Sequence, residues 1–143
     1  AHLPTYQAHR LVLLHCVSAY PCAPEAANLR AIQTLQRHFP YATIGWSAHT
    51  RSIDLIPALA VTLGAAVIEK HLCMRRALGG MDAEHSLEPD EFVQMVRTVR
   101  TIGPILGDGV KQPQPCEQDD RLWARRGHDG LRPMDEVRQQ VTM

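Results

Sequence analysis

The chain has no surplus of either charge: 15 Lys and Arg balance 15 Asp and Glu over 143 residues. Such a balance offers no basic field to a nucleic-acid backbone, and nucleic acid is not expected as a partner. Lysine is nearly missing, with Lys70 and Lys111 standing against 13 Arg. The four cysteines, Cys16, Cys22, Cys73 and Cys116, include no C-x-x-C pair and follow no secretory signal. Neither a disulfide framework nor a thiolate zinc cluster is expected, and a reducing, cytoplasmic compartment fits better. Long hydrophobic runs are missing too. The stretch from Ile53 to Ile68 carries Asp54, Pro57 and Gly64, too mixed to span a bilayer, so no membrane is expected as a partner. The chain also lacks an initiator Met. It opens at Ala1 and enters a strand almost at once, which reads as a piece with its upstream part missing.

What is present is the composition of a soluble globular domain, 45% hydrophobic and 21% charged. Arg10 to Val17 is a short apolar run rich in β-formers, the pattern of a strand covered on both faces. Pro21 and Pro24 interrupt it, and Glu25 to His38 carries Leu29, Ile32, Leu35 and Phe39 at helical spacing, with Pro24 suited to the first turn. A second strand spans Ala42 to Trp46. The helix after it runs from about Ser52 to Leu63, capped by Thr50 or Ser52 and with Asp54 complementing its dipole. Gly64 ends it, and Ala65 to Leu72 forms a third strand. A loop from Arg75 to Glu88 leads to a helix opening at Pro89, with Phe92, Met95, Val96, Val99 and Ile102 on one stripe and an end near Gly103 to Gly107. Three βα units in succession imply parallel strands and an α/β fold. Residues 1–112 form this domain; residues 113–143, rich in Pro and Gln at first, read as a linker and polar tail with room for one short helix.

Two histidines stand at the ends of the second and third strands, His49 and His71, 22 residues apart. In a βαβ unit the functional groups gather at the C-terminal ends of the strands. Alternation along a strand sorts the neighbours by face. Cys16, Ser18 and Tyr20 share one side of the first strand, Ser47 and His49 one side of the second, Glu69 and His71 one side of the third. If these sides look the same way, hydroxyls, a carboxylate and two imidazoles converge on one rim, a set able to hold a divalent cation beside an anionic group. His15 has the opposite parity and should face the helices. His2, His9, His38, His85 and His128 are expected at the surface, with His85 in the loop that would cover the rim.

The segments Leu14-His15-Cys16-Val17-Ser18-Ala19-Tyr20-Pro21, Gly45-Trp46-Ser47-Ala48-His49-Thr50, Ile68-Glu69-Lys70-His71, Gly79-Gly80-Met81-Asp82 and Ser86-Leu87-Glu88-Pro89-Asp90-Glu91-Phe92 resemble, in order and spacing, the sialic acid synthase family. That family includes the N-acetylneuraminate, legionaminate and pseudaminate synthases, and the likeness covers about residues 10 to 116. It implies a (β/α)8 TIM barrel, of which this chain would supply about the last three βα units. The implied reaction condenses phosphoenolpyruvate with an open-chain N-acetylated amino sugar such as N-acetylmannosamine, giving a nonulosonic acid and phosphate. The implied cofactor is a divalent metal, usually Mn²⁺, with Mg²⁺ or Co²⁺ as alternatives.

The same resemblance assigns His49 and His71 as metal ligands, Ser18 and Ser47 to phosphoenolpyruvate, and Tyr20, Glu69 and Asp82 to the neighbourhood of the sugar. Glu69 and Tyr20 are then the candidate catalytic residues, and Ser18, Ser47 and Asp82 the candidate substrate-binding ones. One position departs from the family: Ala48 stands where Asp is usual, on the side of the strand turned away from the rim. The family's upstream lysines and its small C-terminal antifreeze-like domain are not recognisable. A whole barrel needs about 250 residues, so activity is expected only with the rest of the barrel; the exposed strand edges point to a homo-oligomer or to a need for the missing barrel half. Two other readings stand beside this one: a truncated, non-catalytic metal-binding or subunit-pairing domain, and another metal-dependent barrel, an aldolase or isomerase.

Overall fold

The computed structural model describes residues 11–141. His2, His9 and the Arg10 start of the first strand lie outside the described residues. Three strands, β1 (Val12–Cys16), β2 (Thr43–Ala48) and β3 (Val67–Lys70), form a parallel sheet in the order β1-β2-β3. Helix α1 (Arg30–His38) follows β1, α2 (Leu55–Thr62) follows β2, and α3 (Pro89–Leu106) follows β3. The three βα units read from the sequence are therefore present, in α/β order.

The core lies on one face of the sheet. Ile44, Trp46 and Ala48 of β2 pack with Ile32 of α1 and with Ile56 and Ala60 of α2, all buried. Tight packing of this kind is where most of the apolar burial energy of such a unit resides. Ala48, at 2% exposure, points into this helical layer, as strand alternation requires. His15 does the same: its Nε2 lies 2.8 Å from the Ala27 carbonyl.

The opposite face is open. Val12, Cys16, Val67 and Glu69 are exposed there, so the first strand is covered on one face and not on both as its composition suggested. An apolar run reports the demand for burial, and among the described residues no element packs against that side. At the centre of this face Gly45 makes the strands' close approach possible. A Cβ there would come within 2.5 Å of Leu14 Cδ2 and of the Val67 carbonyl oxygen.

Helix boundaries differ from the periodicity in ways that trace to single residues. The first helix starts at Arg30 and not at Glu25, because a 3-10 turn at Pro24–Ala26 is followed by Asn28 in the left-handed region (φ 42°), a conformation Asn tolerates. The cap of α2 is Asp54, whose side chain accepts from the Leu55 N–H, while Ser52 Oγ accepts from the Ile56 N–H. Thr50 caps nothing; its hydroxyl is buried without a partner. Gly64 closes α2 with φ 95°, and Gln36 reaches across to its carbonyl.

Among the described residues, 107–141 form a separate unit, with two short helices, α4 (Gln118–Ala124) and α5 (Asp135–Val141), where the sequence suggested one. Within it Arg138 bridges Asp129 and Asp135. No helix among the described residues is long and apolar enough to cross a membrane.

Candidate metal and substrate site

Beyond β3 the chain does not leave the sheet as a free loop. Leu72 and Leu87 form a parallel bridge: the Leu87 N–H donates to the His71 carbonyl and the Cys73 N–H to the Leu87 carbonyl, each at 2.9 Å. The excursion between them is tied down further. Arg76 pairs with Glu91 at the start of α3, donates from its side chain to the Ser86 carbonyl, and donates its backbone N–H to Glu88 Oε1. The guanidinium beside it holds the Glu91 carboxyl down from 4.5 to about 2. Ser86 Oγ donates to the Asp82 carbonyl at 2.6 Å. The result is that Asp82 and His85 are carried back over the end of β3.

Four rings meet there. Tyr20 and His49 lie 4.4 Å apart between centroids, His49 and His71 5.2 Å, His71 and His85 4.6 Å, and Tyr20 and His85 5.2 Å. Asp82 completes the group, with carboxylate oxygens 3.6 Å from His71 Nδ1 and 3.6 Å from His85 Nε2. The ligand atoms of His71, Asp82 and His85 all fall within 4.8 Å of one another.

His49 is buried, and its Nδ1 lies 3.2 Å from the Val17 carbonyl, with Cys16 Sγ at 3.8 Å. A carbonyl only accepts, so the ring carries its proton on Nδ1 and presents the Nε2 lone pair. This is the arrangement by which an outer-shell acceptor fixes a ligating tautomer. Burial pushes the His49 imidazole below its ordinary pKa, the Val17 contact opposing this in part. Burial likewise lowers His85, aided by the neighbouring His71 and opposed by Asp82. Both rings are held neutral near pH 7, the form that binds metal.

The remaining candidates distribute as follows. Ser47 Oγ donates to Glu69 Oε1 at 2.7 Å, so the alternation that put these residues on one face holds across β2 and β3. Tyr20 is half exposed beside the histidines. Ser18 is exposed, and among the described residues no side-chain hydrogen bond or ring contact joins it to the cluster. His85, expected at the surface, is 2% exposed and sits inside the cluster. Its placement depends on the backbone bridge at Leu87, which leaves no periodic trace; the signal available was Asp82 and His85 three residues apart in a Gly-rich loop just ahead of Ser86-Leu87.

A divalent cation fits this donor set. Among the described residues two buried side-chain polar atoms have no partner, Thr50 Oγ1 and His85 Nε2, and the second faces Asp82. A buried orphan of this kind calls for an explanation, and an ion is one.

Comparison with known proteins agrees with the fold. Residues 2–111 match the NeuB family. The chain is 44% identical over 116 residues to the N,N'-diacetyllegionaminic acid synthase of Legionella pneumophila, covering 81% of this chain and 32% of that protein. It is 46% identical over 104 residues to the N-acetylneuraminate-9-phosphate synthase of Mus musculus, covering 73% and 29%. Among solved structures, the N-acetylneuraminic acid synthetase of Leptospira borgpetersenii superposes with a TM-score of 0.67 at 47% identity, covering 76% of this chain and 38% of that one. The chain thus spans about a third of the length of these relatives. With most of its residues matched, and with sialic, legionaminic and pseudaminic acid synthases among its relatives, the chain belongs to the NeuB family.

Proposed function

We propose that this chain is the metal-binding edge of a nonulosonic acid synthase, a carbon–carbon-forming transferase acting on phosphoenolpyruvate and an N-acetylated hexose. Its three βα units form part of a (β/α)8 barrel, and the open face of the sheet looks into that barrel. The observation that carries the reading is the convergence of Tyr20, Ser47, His49, Glu69, His71 and Asp82 at one end of a parallel sheet, in a chain of this family.

His49 and His71 would hold the metal, with Mn²⁺ the preferred ion. A divalent cation bound there supplies Lewis-acid polarisation of the sugar's aldehyde oxygen. The chain's own residues do the rest of the positioning. His49 is locked by the Val17 carbonyl, so its free nitrogen faces the rim without a search through rotamers. The Ser47 hydroxyl fixes the Glu69 carboxylate, whose second oxygen is left to accept from a sugar hydroxyl or to take a proton. Tyr20 closes one side of the site as an aromatic wall with a phenolic donor. Asp82 takes sugar hydroxyls from the loop side, and Ser18 donates to phosphoenolpyruvate, beside Ser47, whose single proton is held by Glu69.

In the reaction the enol carbon of phosphoenolpyruvate forms a bond to the aldehyde carbon of the sugar. Water adds at the former enol-ether carbon, and phosphate leaves. The protein carrying this chain should therefore release phosphate from phosphoenolpyruvate only when an N-acetylated hexose and Mn²⁺ are both present, and chelation with EDTA should abolish the release. Absence of release with every N-acetylated hexose tried would overturn the proposal. Phosphate-independent cleavage of a sugar would instead favour an aldolase.

A further inference from the structure

We propose that His85 and Asp82 are metal ligands in this protein, so that the cation assigned to His49 and His71 is gripped in addition by a carboxylate and a third imidazole from the loop after β3. The inference deepens the metal site of the proposed synthase, sharing His49 and His71 with it, and rests on that site's being one for metal.

Three observations carry it. His71, Asp82 and His85 bring ligand atoms within 4.8 Å of one another, and the two His–Asp separations of 3.6 Å match ligands on one ion, where bonds of about 2.0–2.2 Å keep any two donors within roughly 4.4 Å. His85 is 2% exposed, yet its Nε2 has no hydrogen-bond partner. Leaving such a nitrogen unsatisfied costs on the order of 1–3 kcal/mol, a cost removed when it binds a cation. The loop that delivers both residues is fixed at both ends, by the Leu72–Leu87 bridge and by Arg76 against Glu88 and Glu91. The ligands are thus pre-positioned on β3 and on an anchored turn.

His49 stands beside this set, its centroid 5.9 Å from that of His85. Its hydrogen bond to Val17 leaves Nε2 free to join the same ion. The chemical class of the cation follows from the donors. Imidazole suits Zn²⁺, Fe²⁺ and Co²⁺ and the carboxylate also suits Mn²⁺, whereas Mg²⁺ prefers oxygen ligands throughout and keeps its waters. A borderline transition ion is selected over Mg²⁺.

The test uses the full-length protein and Co²⁺ as a spectroscopic probe. The parent should take up one equivalent with visible d–d absorption, and a large molar excess of Mg²⁺ should not displace it. His85→Gln and Asp82→Asn should each weaken Co²⁺ binding on the order of 10- to 100-fold or more and change the position or intensity of the bands. Because His85 is buried, thermal melts in EDTA accompany both variants; Asp82 is half exposed, so its variant stays informative if His85→Gln fails to fold. Co²⁺ affinity and spectrum unchanged in Asp82→Asn and in folded His85→Gln, or no uptake by the parent, would overturn the proposal. Failure of the synthase reading looks different: Co²⁺ binding sensitive to both substitutions, but no phosphate release from phosphoenolpyruvate with any N-acetylated hexose.

Discussion

Lys70 shows how one residue's environment is set by its neighbour across the sheet. Its ammonium is more than half buried, donates to the Ala48 and Thr50 carbonyls, and is pushed down by burial to about 8. Ala48 is its register partner on β2, on the same helical side. Carbonyl dipoles solvate the charge and Glu91 acts on it from a distance, but among the described residues no carboxylate forms an ion pair with it. Ala48→Asp places one beside it. The desolvation of Lys70 has already been incurred, so the new charge-assisted contact should stabilise the protein by about 1 kcal/mol at pH 7, read as a higher midpoint in urea denaturation. Destabilisation would mean that the helical layer cannot admit the larger side chain. Gly45 makes the opposite case. With Leu14 Cδ2 and the Val67 carbonyl both 2.5 Å from where a Cβ would stand, Gly45→Ala must separate strands or displace backbone. A loss of roughly 1–3 kcal/mol is expected from the same measurement.

At the scale of elements, the segment between β3 and α3 decides the shape of the site. Arg76 and Glu91 are its clasp, each about one-third exposed. Arg76→Ala should cost about 1 kcal/mol in stability, and should loosen Asp82 and His85 enough to weaken metal uptake as well. The clasp also has a pH signature. Glu91's folded-state value lies below its unfolded one, so its stabilisation is complete above about pH 4.5 and fades as pH falls toward 2. Glu91→Gln should flatten that part of the acid-unfolding curve; an acid limb unchanged from the parent would show that the pair contributes nothing.

This segment also marks the limit of what the sequence discloses. Strand alternation placed Ser47 with Glu69, turned His15 and Ala48 toward the helices, and put His49 and His71 at neighbouring strand ends, because a period of two is a local geometric rule. Hydrophobic spacing found all three helices of the sheet unit and the stripe on α3. The burial of His85 escaped that reasoning, since it follows from a hydrogen-bonded bridge between Leu72 and Leu87, residues distant in sequence. The late start of α1 escaped it too, because one Asn in the left-handed region outweighed a helical pattern that began earlier.

For the molecule as a whole, the sheet is finished on one face and open on the other. Trp46, Ile44 and Ala48 are buried under helices, whereas Val12, Val67 and the rim residues Tyr20 and Glu69 are exposed. The buried face accounts for a folded βα layer; the open face carries the chemistry proposed for it. The chain spans about a third of its relatives, so the account's central claim belongs to the protein that carries it: carbon–carbon bond formation between phosphoenolpyruvate and an N-acetylated hexose. The direct measurement follows ¹³C-labelled phosphoenolpyruvate incubated with the full-length protein, Mn²⁺ and a panel of N-acetylated hexoses, by NMR and mass spectrometry. The account predicts label in a nonulosonic acid, formed in step with phosphate and lost in His71→Gln; label found only in unreacted phosphoenolpyruvate or in pyruvate would contradict it.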